Sequence, residues 1–165
     1  MSNLAHNGDD YPDAAGKHLD DATALFVHDR FDGAAYLAGY AVECSFKTLV
    51  VLAQLHRMGL TFTLIRGGAT LNPQQLSNAF TEAKKYRHSL HGLSSDLLGL
   101  ASMSAATAGY QPPAALPSMY PTGWSETLRY QAPKFGGTPI GEWIAHAEDV
   151  YRATVAKLRL DGIVR

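Results

Sequence analysis

Apolar residues recur along this chain at helical spacing far more often than at strand spacing. The first run opens at Asp10 and Pro12, a capping carboxylate followed by a residue whose missing N–H costs nothing in a first turn. Ala15, Leu19, Ala22 and Phe26 then share one face, which predicts a helix ending near Asp29–Arg30. The second run, Asp32 to about Met58, is apolar around nearly its whole circumference, the pattern of a helix at the centre of a bundle. Its polar side chains fall on one line. At about 100° per residue, Tyr36, Tyr40, Glu43, Lys47 and Gln54 lie within a stripe roughly 60° wide.

Gly59 to Leu71 interrupts the pattern. Thr61-Phe62-Thr63-Leu64 alternates like a short strand, and Gly67-Gly68 reads as a turn. Asn72-Pro73-Gln74-Gln75 has the form of a helix start, with Asn as cap, Pro first and Gln75 placed to reach back. Leu76, Ala79, Phe80 and Ala83 carry this third helix to about His88. Gly92 then breaks it, and Ser94-Ser95-Asp96 opens a fourth through Leu97, Leu98, Leu100 and Ala101, closing by Gly109. Residues 110–139 hold six of the eight prolines, which predicts a long irregular connection. Thr138-Pro139 starts the last helix, with Ile140, Trp143, Ile144, Ala147, Val150, Tyr151, Val155 and Leu158 on its apolar face. The expected architecture is an all-α bundle of about five helices forming one domain over 1–165, with residues 1–11 as a flexible lead-in.

Composition narrows the chemistry. At 165 residues the chain is long enough for one sizeable core, and its 46% apolar share is globular. Charged residues reach only 18%, and the net charge of −1 lacks the strongly basic footprint of a DNA-coating protein. The balance hides a gradient: residues 1–83 carry five Lys/Arg against nine Asp/Glu, and residues 84–165 carry nine against six. A single Cys44 excludes a disulfide framework and a multi-cysteine zinc site. No run of 18 uninterrupted apolar residues is found. The expectation is therefore a cytoplasmic protein with no membrane partner.

Seven histidines invite a metal reading, but no HExxH or His-x3-His pair supports it, so no metal and no cofactor are expected. The glycine pairs lack phosphate-cradle spacing. More informative is Lys84-Lys85-Tyr86-Arg87-His88, followed by His91, which concentrates charge, an aromatic ring and two imidazoles. Such a patch suits an anion or RNA, although Lys and Arg also complement the end of a helix. Glu43 and Lys47 stand four apart in the favourable order for a helical ion pair. On so apolar a helix their desolvation is costly unless they are well partnered, which marks a site or an interface.

The run Tyr36-x-x-x-Tyr40-x-x-Glu43-Cys44-x-x-Lys47 resembles the signature helix of HEPN (higher eukaryotes and prokaryotes nucleotide-binding) domains. Ala15-x-x-His18-Leu19-x-x-Ala22, His91-Gly92-Leu93 and Trp124-Ser125-x-x-Leu128-Arg129-Tyr130 agree with it in order. The resemblance implies a helical bundle that forms homodimers and handles nucleotides or RNA, often beside a minimal nucleotidyltransferase in toxin–antitoxin pairs. Many such domains are metal-independent ribonucleases with Arg and His separated by four to six residues. This chain departs there, and Arg87 and His91, three residues apart, come nearest. On one continuous helix that spacing would keep both on one face. Three readings follow. In the first, Tyr36, Tyr40, Glu43, Lys47, His91, Arg129 and Tyr130 line a cleft for a nucleotide, an RNA end or a partner protein. The second is a ribonuclease that uses Arg87 and His91. The third is a purely structural dimer.

Overall fold

A computed structural model describes residues 1–99, 106–111, 124–130 and 136–165, without the side chains of residues 98, 99 and 129. Among the described residues the chain is all-α, with six helices, five of them at least seven residues long, and no strand.

Helix α1 (Tyr11–Val27) begins at Asp10, whose side chain accepts from the Asp13 amide, and buries Ala15, Leu19 and Ala22. A short turn with Asp29 at φ +56° reverses the chain into α2 (Phe31–Arg57). The two helices are antiparallel: His18 meets Tyr40, and Tyr11 lies under Lys47. From Ala41 to Ala53 every residue of α2 is buried. By length and hydropathy alone α2 is long and apolar enough to cross a membrane, yet here its apolar window is packed mostly inside the bundle. Gly59, at φ +88°, ends it, and the Leu60 amide folds back to the Leu55 carbonyl at 3.0 Å. That left-handed closure suits glycine and satisfies a carbonyl orphaned at the helix end.

Four local expectations are corrected. The alternating Thr61–Leu64 segment forms a single helical turn, α3 (Phe62–Arg66), with Thr61 as its cap. Four alternating residues fit a helical turn as well as a strand, and the cap hydrogen bond to the Leu64 amide favours the turn. Helix α4 (Pro73–Lys84) starts at Asn72 as expected, but the amide that reaches along it is Gln74's, to Asn78, rather than Gln75's back to the cap. It also stops short of His88. Helix α5 (Leu90–Gly99) begins before Gly92 rather than after it, because the Ser89 hydroxyl accepts from the Gly92 amide at 3.0 Å and caps the turn. The continuation expected toward Gly109, and most of the Pro/Gly-rich connection, lie outside the described residues.

The last helix, α6, runs as Gly137–Tyr151, passes through a π turn at Arg152–Ala156 and finishes as Lys157–Leu160. It lies alongside α2: Trp143 Nε1 donates to the Ala35 carbonyl at 3.1 Å, and Val155 packs with Cys44 and Ala15. Within the π turn, the Thr154 hydroxyl donates to the Val150 carbonyl at 2.6 Å. The N-terminal lead-in packs against the start of α1 and against Arg165. Leu4 is buried, Ser2 bonds Asp10 through amide and hydroxyl, and the Asn3 amide donates to the Arg165 carbonyl.

Candidate functional site

Along the polar line on α2, Tyr36 pairs with Tyr40 and Glu43 with Lys47, while Gln54 pairs instead with Arg57. Tyr36 and Tyr40 stand one turn apart with ring centres 4.9 Å apart, edge to face. Their hydroxyls lie 3.4 Å from each other. One turn further, Glu43 Oε1 takes the Lys47 ammonium at 2.7 Å, with side chains only 3% and 8% exposed. The Tyr11 ring from α1 sits 5.5 Å from the same ammonium. Burial drives the Tyr11 phenol well above its ordinary range, with Asp9 and Glu43 adding to it, so it stays neutral beside the ion pair.

Glu43 has a second partner. His88 Nδ1 lies 3.0 Å from Glu43 Oε2, and the imidazole is partly open to solvent. The turn between α4 and α5 places it there. The Arg87 amide closes onto the Lys84 carbonyl, and Arg87 adopts φ +49°. The Tyr86 hydroxyl then donates to Asp96 on α5 at 2.7 Å, which pins the turn. Burial and that bond both raise the Tyr86 phenol. A non-glycine residue held left-handed is uncommon, and its effect here is to aim the next side chain, His88, at α2.

Tyr40 is the hub of an aromatic group. His18, His88 and Trp124 surround it at centroid distances of 5.5, 5.6 and 5.8 Å. Trp124 lies against α2 because Gly39 leaves it room: a Cβ at Gly39 would stand 1.9 Å from the indole. Its Nε1 donates to the Tyr36 carbonyl at 3.3 Å. His18 is half-buried, and Nδ1 has no hydrogen-bond partner. Burial lowers its proton affinity, and Lys17 adds to that while Asp21 and Glu43 oppose it. Cys44, next to Glu43, is a core thiol pushed up to about 12 by burial and then by Glu43.

Comparison with protein-family models, with curated proteins and with solved structures finds no match.

Of the residues singled out in the sequence, Tyr36, Tyr40, Glu43 and Lys47 come together. His91 does not join them; it is exposed on the first turn of α5, and His88 occupies the place beside Glu43. Arg87 is exposed and precedes α5, so the helical spacing that would pair it with His91 is broken by the turn. Tyr130 is 75% exposed at the end of the 3-10 turn Glu126–Tyr130. The Arg129 side chain lies outside the described residues. Four members were missed, one of them Trp124, which the sequence offered only as the start of the Trp124–Tyr130 motif. His88 stood in the basic run but was passed over for His91. Tyr11 and His18 carried the weaker signal of lying on α1 at positions that face a central helix. Among the described residues no group of three His, Cys, Asp or Glu side chains converges as a metal site.

Proposed function

We propose that this chain is a HEPN-like module that binds a nucleotide, an RNA end or a partner protein, as a cytoplasmic homodimer. The observation that carries the reading is the buried Glu43–Lys47 pair lying beneath a half-exposed group of rings, opened to solvent through His88. Aromatic faces beside a basic turn suit stacked bases and phosphates, and stacking is worth about 1–3 kcal/mol per base. Arg87 has no carboxylate partner among the described residues, which leaves it open to phosphate. A minimal nucleotidyltransferase, in a toxin–antitoxin pair, is the protein partner that the resemblance suggests.

The test is titration of a labelled single-stranded oligoribonucleotide, followed by fluorescence anisotropy at low salt. Tyr36→Ala and Arg87→Ala are expected to weaken binding while leaving the helical circular dichroism intact. Binding unchanged in both variants removes the reading. Lys47 is unsuitable as a probe because it is buried.

One observation favours metal-independent ribonuclease activity as a second reading. His88 presents its outer nitrogen to solvent with Glu43 behind it, so the acid–base group would be His88 rather than His91. Cleavage of a generic RNA in EDTA, abolished in His88→Ala, is the expected result. No cleavage at any protein excess excludes it.

A further inference from the structure

We propose that His88 is a phosphoryl-accepting histidine, modified at Nε2 by a small donor of the phosphoramidate or acyl-phosphate class. The inference does not depend on the ligand proposed above. Glu43, ion-paired with Lys47 at 2.7 Å, is a carboxylate that only accepts hydrogen bonds. Nδ1 of His88, at 3.0 Å from it, therefore carries the ring proton in the neutral imidazole. The Nε2 lone pair is then free, and among the described residues no protein atom is bonded to it. The side chain is 39% exposed, so that lone pair is open to a reagent in solution.

The reaction balances at these atoms. The Nε2 lone pair forms a bond to phosphorus, and the phosphorus–nitrogen bond of the N-protonated phosphoramidate zwitterion breaks with its electron pair going to nitrogen, releasing ammonia. With an acyl phosphate the phosphorus–oxygen bond breaks and the carboxylate leaves. The Nδ1 proton stays on the ring throughout. The ring therefore gains positive charge as the new bond forms, and it gains it against the Glu43 carboxylate. Glu43 is thus a positioning residue for His88. Arg87, adjacent in the chain and exposed, adds positive charge near an incoming phosphoryl dianion. Among the described residues, the exposed His28, His56 and His91 have no ion-paired carboxylate behind them.

The experiment treats the full chain with potassium phosphoramidate and, separately, acetyl phosphate. Phosphohistidine is located by peptide mass spectrometry and its nitrogen identified by 31P NMR. One phosphate is expected, on Nε2 of His88, formed roughly tenfold or more faster than on His28, His56 or His91. Unfolding in urea should erase that preference, and His88→Asn should remove this phosphate alone. Glu43→Gln should lower His88 to the rate of the other histidines. Should that variant not fold, 15N NMR of the unmodified wild-type chain decides the tautomer directly. Equal labelling of all exposed histidines, no phosphate on His88, or an Nε2–H tautomer there would overturn the proposal.

Discussion

Two ion pairs on neighbouring helices share one spacing and differ in everything else. Glu43–Lys47 on α2 and Lys17–Asp21 on α1 are both four residues apart. The first is 3% and 8% exposed, while the second is 45% exposed at Asp21 and 69% at Lys17. The exposed pair trades water for a partner at little gain, and salt screens it. The buried pair cannot return to water, so each charge depends on the other and on Tyr11 and His88 around it. Spacing in the sequence thus identifies a pair. Its surroundings decide whether the pair matters.

The contrast is broken most severely by removing one buried charge. Glu43→Ala strands Lys47 and releases His88, and should cost about 3–5 kcal/mol in urea unfolding. A loss below about 1 kcal/mol would mean that water reaches Lys47 after all. Next comes Gly39→Ala. At an open helical site that change stabilises by up to about 1 kcal/mol, but here the new methyl overlaps Trp124. We expect a loss of about 1–3 kcal/mol, or expulsion of the indole. In an NMR spectrum the Trp124 indole N–H should move while that of Trp143 stays.

A smaller effect should come from pH. Burial lowers the proton affinity of His18 and of His146, whose Nε2 is buried without a hydrogen-bond partner. Both bind protons more readily unfolded than folded, so stability is complete above their ordinary value near 6.5 and falls as pH drops below it. Thermal unfolding at pH 7.5 and 5.5 should show the decline, and His146→Leu should flatten part of it. The smallest change is expected for Asp21→Ala, within about 0.5 kcal/mol of wild type in the same urea assay. A larger loss there would erase the distinction between the two pairs.

Much of the scaffold was legible because local chemistry decides it. Asp10 and Asn72 cap helices where their side chains predict, and α2 spans almost the stretch marked by its apolar run. The start of α5 was not legible, because a glycine inside a first turn looks like a breaker unless the Ser89 hydroxyl is seen to cap it. Within the site, the line from Tyr36 to Lys47 followed from helical periodicity. Choosing His88 over His91 required the left-handed Arg87, a backbone state that the sequence does not display. Trp124 on Gly39 joins distant parts of the chain, and only the folded packing reveals it.

The π turn at Arg152–Ala156 amounts to a phase correction in the last helix. One inserted residue advances the remaining side chains by about 100° of arc without lengthening the rod appreciably. Its signature is a beat in the buried pattern, where Val150 is followed by two adjacent buried residues, Thr154 and Val155, and then by Leu158. Ahead of the beat the helix is timed to Trp143 and the Ala35 carbonyl; after it, Val155 is timed to Cys44 and Arg159 to Asp13. A single rod thereby keeps two rhythms, one set by the start of α2 and the other by the segment that holds Glu43.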